Sequence, residues 1–231
     1  MSIQAIINRS NGLEMNRRKL VGIQYTRNES SRTSLTPTYN PWRFNVELPD
    51  SLKYSDARGI IEELDRLDRI YPETITFNNN PNMSWIFRYQ GVASFSQLSQ
   101  ITVTSFVGNQ LVLGNLPALG TNSVLFAAND LIQLAGRPHP FTSTTQVLRG
   151  SGNTVTVTTN RPNIFTSSAV GAAIVVGAGC QFRVFCPNMP TYKLVPGGGT
   201  YSSDDPTVIT NNAYIEWSDK FSLYEYLGDL T

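Results

Sequence analysis

The chain has 231 residues and a formal net charge of +1, with charged side chains at 15% against about 25% in an average soluble domain. Its length supports a sizeable hydrophobic core, while the near-neutral balance gives no electrostatic footprint for nucleic acid or an acidic membrane surface. Ser, Thr and Asn supply more than a quarter of the residues; such side chains suit turns and sheet surfaces, and a net charge near zero favours association.

In chain order, the basic run Arg17–Arg18–Lys19 leads into a first strand over Leu20–Thr26. The polar, Ser/Thr-rich stretch Asn28–Asn40 reads as a long hairpin loop. It returns into a second strand, in which Trp42, Phe44, Val46 and Leu48 alternate with Arg43, Asn45 and Glu47 at the period of two that defines a half-buried strand.

The spacing then predicts one amphipathic helix over Ser55–Arg69, because Ala57, Ile60, Ile61, Leu64 and Leu67 recur at three- and four-residue steps. Ser55 serves as N-cap, and Pro72 ends the helix. Short strands follow at Thr74–Phe77 and Trp85–Tyr89, split by a turn at Asn78–Asn82.

From Gly91 to Val170 charges nearly vanish. Thr/Val-rich strands at Ile101–Val107, Gln110–Leu113, Asp130–Leu134 and Thr154–Thr159 alternate with Gly/Asn turns. Gly108–Asn109 and Gly150–Ser151–Gly152–Asn153 read as hairpin turns. Strands resume at Ala172–Val176, Gln181–Phe185 and Tyr192–Val195. A loop from Pro196 to Pro206 precedes the last two strands, Tyr214–Trp217 and Phe221–Leu227.

The expected fold is mainly β: a β-sandwich or barrel with one amphipathic helix. Residues 1–90 and 171–231 would form that domain, and residues 91–170 an inserted small barrel or meander. Cys180 and Cys186 would stand roughly 20 Å apart on one strand, beyond disulfide reach, so free thiols in a reducing compartment are expected. The sequence lacks an apolar run long enough for a signal peptide or spanning helix. Synthesis in a cytoplasm is therefore expected, and the sequons at Asn8, Asn28 and Asn82 read as chance matches.

Candidates for chemistry are few. The single histidine, His139, lies between Pro138 and Pro140 and reads as part of a surface or interface loop. One histidine and two cysteines at non-chelating spacing do not make a zinc site. Asp204 and Asp205 are adjacent in a Gly/Ser-rich loop without the spaced oxygen ligands of a calcium site. Gly177–Ala178–Gly179 reads as a turn between strands and lacks the third glycine of a dinucleotide fingerprint. No cofactor, no metal and no catalytic residue is assigned; the expectation is a protein that is not an enzyme. Trp85, Trp217, Tyr214 and Tyr224 are candidates for a carbohydrate-binding face, the alternative function.

Several segments together resemble tail-tube-like, distal-tail or baseplate-hub proteins of tailed bacteriophages. These are the basic start Asn16–Arg17–Arg18–Lys19–Leu20, the strand–loop–strand ending in Trp42–Arg43–Phe44, and the helix with Ala57–Arg58 near its start. The closing segments Ile215–Glu216–Trp217 and Phe221–Ser222–Leu223–Tyr224–Glu225 complete the set. The resemblance covers the two ends of the chain. It implies a virion structural protein, assembled in the host cytoplasm, that packs into a ring, with a hexamer favoured, joining tail tube to baseplate. Its partners would be copies of itself and neighbouring tail-tube or baseplate proteins, with no membrane and no specific nucleic acid. The residues expected at the assembly interface are Arg17, Arg18, Lys19, Arg32, Tyr39 and Trp42.

Overall fold

A computed structural model describes residues 2–16, 21–25, 31–35, 41–48, 52–54, 57–59, 61–62, 71–188, 190–195, 214–218, 221–228 and 230. The chain is mainly β, in several antiparallel sheets, and among the described residues none closes into a barrel.

The principal sheet is built from both ends of the sequence. It takes β1 (Gly12–Asn16), β4 (Arg43–Glu47), β18 (Phe221–Glu225), β15 (Phe182–Phe185) and β6 (Glu73–Ile75), in that order across the sheet. The alternation seen around Trp42–Leu48 fixes which face β4 buries: Trp42, Phe44, Val46 and Leu48 are buried and Arg43 and Glu47 exposed. β18 pairs with it so that Leu223 faces Phe44 and Phe221 faces Val46. Phe182 sits at the centre of an aromatic cluster, with ring centroids 5.3 Å from Trp42, 5.0 Å from Phe44 and 5.7 Å from both Phe77 and Phe87. The short helix α1 (Ser2–Ile7) adds Ile3, Ile6 and Ile7 to this core.

A second core draws its buried members from residues 93–176. It lies among three small sheets. One joins β7 (Thr102–Val107), β8 (Gln110–Gly114) and β13 (Val155–Thr158). Another joins β10 (Leu131–Leu134), β11 (Phe141–Thr142) and β14 (Ile174–Val176), and the third pairs β9 (Val124–Phe126) with β12 (Val147–Leu148). The β7–β8 hairpin turns at Gly108–Asn109, where Gly108 has φ +54°. The 150–153 turn differs from the hairpin expected of it, because β12 pairs with β9 while β13 pairs with β8. β10 divides the two cores: Leu131 belongs to the first, Ile132 and Leu134 to the second, and all four of its residues are buried.

A further sheet orders β16 (Thr191–Val195), β17 (Tyr214–Ser218) and β5 (Leu52–Lys53). Residues 54, 57–59 and 61–62 are helical. Ala57 and Ile61, four apart, are buried against Ile215, while Arg58 and Glu62 are exposed. This is the amphipathic face that the spacing requires; residues 55–56, 60 and 63–69 of the expected helix lie outside the described residues. The helix therefore packs on the β16–β17–β5 sheet. Finally, β2 (Val21–Tyr25) and β3 (Ser31–Leu35) form a two-stranded hairpin, paired from Val21↔Leu35 to Tyr25↔Ser31. The expected loop over 28–40 thus contains a strand.

The segment Trp85–Tyr89 is not a strand. Residues 81–87 form consecutive turns, anchored by buried Asn80. Its Oδ1 accepts the Asn82 amide at 2.8 Å, and its Nδ2 donates to the carbonyls of Ile7 at 2.6 Å and Ser10 at 3.0 Å. An Asn side chain that satisfies local backbone in this way competes successfully with a strand ladder. Gly177–Gly179 is a turn of 3₁₀ helix between β14 and β15.

Candidate functional site

The densest polar arrangement in the described interior lies where the two cores meet, around Glu225. In β18 the buried positions are Phe221, Leu223 and Glu225. An acid thus occupies a position that the alternation assigns to an apolar side chain. Its carboxylate is fully engaged. Oε1 accepts Arg161 Nη2 at 2.8 Å and lies 3.0 Å from His139 Nδ1; Oε2 accepts Arg161 Nη1 at 2.5 Å and the Trp42 amide at 2.9 Å. The Glu225 amide donates back to the Trp42 carbonyl at 2.8 Å.

Burial by itself pushes the Glu225 carboxyl up, yet the net displacement is downward. The charge of Arg161 and the hydrogen bonds from His139, Arg161 and the Trp42 amide together outweigh desolvation. An ionised carboxylate only accepts, so His139 carries its hydrogen on Nδ1.

Arg161 is itself 1% exposed. Its Nη2 also reaches the Pro140 carbonyl at 3.0 Å, and its guanidinium lies 5.0 Å over the Phe141 ring. The same Pro140 carbonyl accepts Trp42 Nε1–H at 3.0 Å. Four stretches of chain, at residues 42, 139–141, 161 and 225, are therefore tied at one point by charge-assisted bonds in a low-dielectric interior. A general base needs an uncommitted lone pair within reach of a substrate proton. Both Glu225 oxygens are occupied, so the junction acts as a structural clamp.

Two expectations change here. His139 is 3% exposed and belongs to the clamp, not to a surface loop, because flanking prolines fix its extended backbone while its ring meets a buried carboxylate. Trp42 is 1% exposed, stacked on Phe44 at 5.9 Å; it has no surface to offer an assembly interface. Arg32 lies on β3, whereas Arg17, Arg18, Lys19 and Tyr39 are outside the described residues, as are Asp204, Asp205 and the 196–206 loop.

The four aromatic candidates for a sugar platform lie on different elements, Trp85 in the 81–87 turns, Tyr214 and Trp217 on β17 and Tyr224 on β18. Trp85 is 70% exposed, with Nε1 donating to the Asn82 carbonyl at 2.8 Å. Trp217 is half-buried, its ring 5.9 Å from Tyr192. Tyr224 is half-buried beneath Arg43, 5.2 Å from its ring, and 5.8 Å from Phe185. Both cysteines are free and buried, and burial pushes the Cys180 thiol well up. Among the described residues no group of three or more His, Cys, Asp or Glu is placed to hold a metal.

Two peripheral features bear on association. The β2–β3 hairpin pairs with no other strand among the described residues. β16 pairs on one side only, with β17, and exposes Leu194 (53%) and Tyr192 (37%). No known protein family matches the chain, and no curated protein matches it in sequence.

Proposed function

We propose that this chain is a structural subunit that assembles with copies of itself into a ring, six copies being favoured, within the tail or baseplate of a bacteriophage. The observation that carries the assembly reading is the β2–β3 hairpin, self-paired over five residues on each strand and joined to no other sheet among the described residues. An isolated two-stranded hairpin is marginal in water. Unpaired strand edges invite another chain, and closed rings remove such edges by pairing neighbours. The Ser, Thr and Asn content and the net charge of +1 suit a surface largely covered by neighbours. The place in a phage tail rests on the resemblance of the chain's two ends, and the clamp at Glu225 supplies a rigid body to carry the hairpin.

Mass measurement of the purified chain, combined with negative-stain imaging, tests the reading. The expected result is a closed oligomer in the presence of tail-tube or baseplate partners; a strict monomer at high concentration beside those partners contradicts it. A second reading, a carbohydrate-binding module on a receptor-binding device, is favoured only by the exposure of Trp85. A glycan array decides it: binding lost in Trp85→Ala supports it, and silence across many glycans removes it.

A further inference from the structure

The sheet of β16, β17 and β5 leaves one apolar strip uncovered. In its antiparallel pairing Tyr192 stands opposite Trp217 and Leu194 opposite Ile215, so these four residues share one face, while Lys193 and Glu216 take the other. The helical residues Ala57 and Ile61 pack on the buried Ile215. They stop short of the edge strand: Tyr192 remains 37% exposed and Leu194 53%. Between the helix and that edge runs an open groove of about 400 Å³, lined by Tyr54, Arg58, Ile61, Glu62, Tyr192 and Leu194.

A groove beside an edge strand suits one kind of occupant. An added strand takes its affinity from main-chain bonds to the edge, and its alternate side chains enter the groove. The occupant therefore needs an unpaired edge and an apolar residue at every second position. β2 has both. Among the described residues it pairs only with β3. Val21, Ile23 and Tyr25 fall on one of its faces, Gly22 and Gln24 on the other. Laid beside β16 with the first face toward the groove, β2 extends the apolar face of Tyr192, Leu194 and Ile215. Its other face then extends that of Lys193 and Glu216. Both strands are five residues long, so the two edges match end to end.

We propose that β16 is the acceptor edge for the β2–β3 hairpin of a second copy of this chain, giving one sheet in the order β3–β2–β16–β17–β5 across two chains. The inference rests on the assembly reading and supplies the receiving surface that the reading leaves unnamed. Donor and acceptor are different parts of the chain, so the contact is head-to-tail, the kind that repeats around a closed ring. It also places a hairpin that is marginal by itself within a larger sheet.

Cysteine pairing between full-length chains tests the contact, with tail or baseplate partners present. One preparation carries Val21→Cys, Ile23→Cys or Tyr25→Cys; the other carries Tyr192→Cys or Leu194→Cys. Opposed residues of neighbouring strands have Cα atoms about 4.5–5.5 Å apart, within the range of about 4.4–6.8 Å that a disulfide spans. The native Cys180 and Cys186 are buried, and the unsubstituted chain is the control. Under mild oxidation a two-chain disulfide species is expected from at least one donor–acceptor mixture and from neither preparation alone. Leu194→Glu, at an exposed position, should keep the native circular dichroism and lower the ring population at least tenfold. Native rings that yield no cross-link between chains in any pair overturn the contact and leave the assembly reading standing, as does Leu194→Glu forming rings like the native chain. A disulfide formed only within a doubly substituted chain places the hairpin on its own β16 and overturns the contact too. A native chain that stays monomeric beside its partners removes the reading and the contact together.

Discussion

Glu225→Gln removes one charge from the buried junction while keeping its shape. In the native chain the two carboxylate oxygens take two donors each: Arg161 Nη2 and His139 Nδ1 on one, Arg161 Nη1 and the Trp42 amide on the other. A glutamine offers one accepting oxygen, and its NH2 would be aimed at groups that themselves donate. Arg161, 1% exposed, is left as a buried cation without its counter-charge. Removing one partner of such a pair costs about 3–5 kcal/mol, and each kcal/mol moves the midpoint of a chain this size by about 2–4 °C. The thermal midpoint should fall by roughly 6–20 °C. The double variant Glu225→Leu with Arg161→Met should recover much of that loss, because it removes the buried charge along with its partner.

The sign of the pH effect follows from the same contacts. The folded Glu225 carboxyl titrates below its unfolded range, so its stabilisation is present above the unfolded value of about 4.3 and is lost as pH falls through the folded value. Midpoints measured by circular dichroism from neutral pH down into that range should fall with acid in the native chain, and fall less steeply in Glu225→Gln. A Glu225→Gln midpoint within 2 °C of native, with an unaltered acid slope, would refute the clamp.

Trp42→Ala removes the ring that packs on Phe44 and Phe182 and breaks the Nε1 bond to Pro140; a loss of about 3–5 kcal/mol is expected in denaturant titration. Gly177→Ala should destabilise by about 1–3 kcal/mol in the same assay, since φ is +71° and an added Cβ would lie 2.8 Å from the Tyr89 amide nitrogen. Trp85→Ala should leave stability within about 0.5 kcal/mol, because the ring is 70% exposed. Cys180, buried and with its thiol pushed up, should resist a thiol reagent in the folded chain and react fully only on unfolding.

Strands were legible where one face is buried and the other wet: the Trp42–Leu48 alternation and the Gly108–Asn109 hairpin both appear in the pairing. The helical spacing of Ala57 and Ile61 likewise matches their burial against Ile215. α1 was not legible, because six residues give too little periodicity to read. Trp85–Tyr89 alternates as well as any strand, but Asn80 diverts its backbone into turns through contacts with residues 7 and 10, seventy positions away. The clamp was hidden for a related reason. Glu225 and Arg161 are single charges in otherwise apolar or turn-like stretches, and their 64-residue separation leaves no local pattern. The one signal was an acid on the apolar phase of Phe221–Leu223–Glu225, which marks a buried charge in need of a partner.

The assembly account is tested most directly by replacing residues 21–35 with a short Gly/Ser linker and comparing variant and native chain by mass photometry and negative-stain imaging with tail or baseplate partners present. The account predicts closed rings from the native chain. The variant should be a monomer, with circular dichroism and thermal midpoint close to native, because the hairpin pairs with no other strand among the described residues. Rings that form equally well without the hairpin, or a native chain that stays monomeric beside its partners, would contradict it.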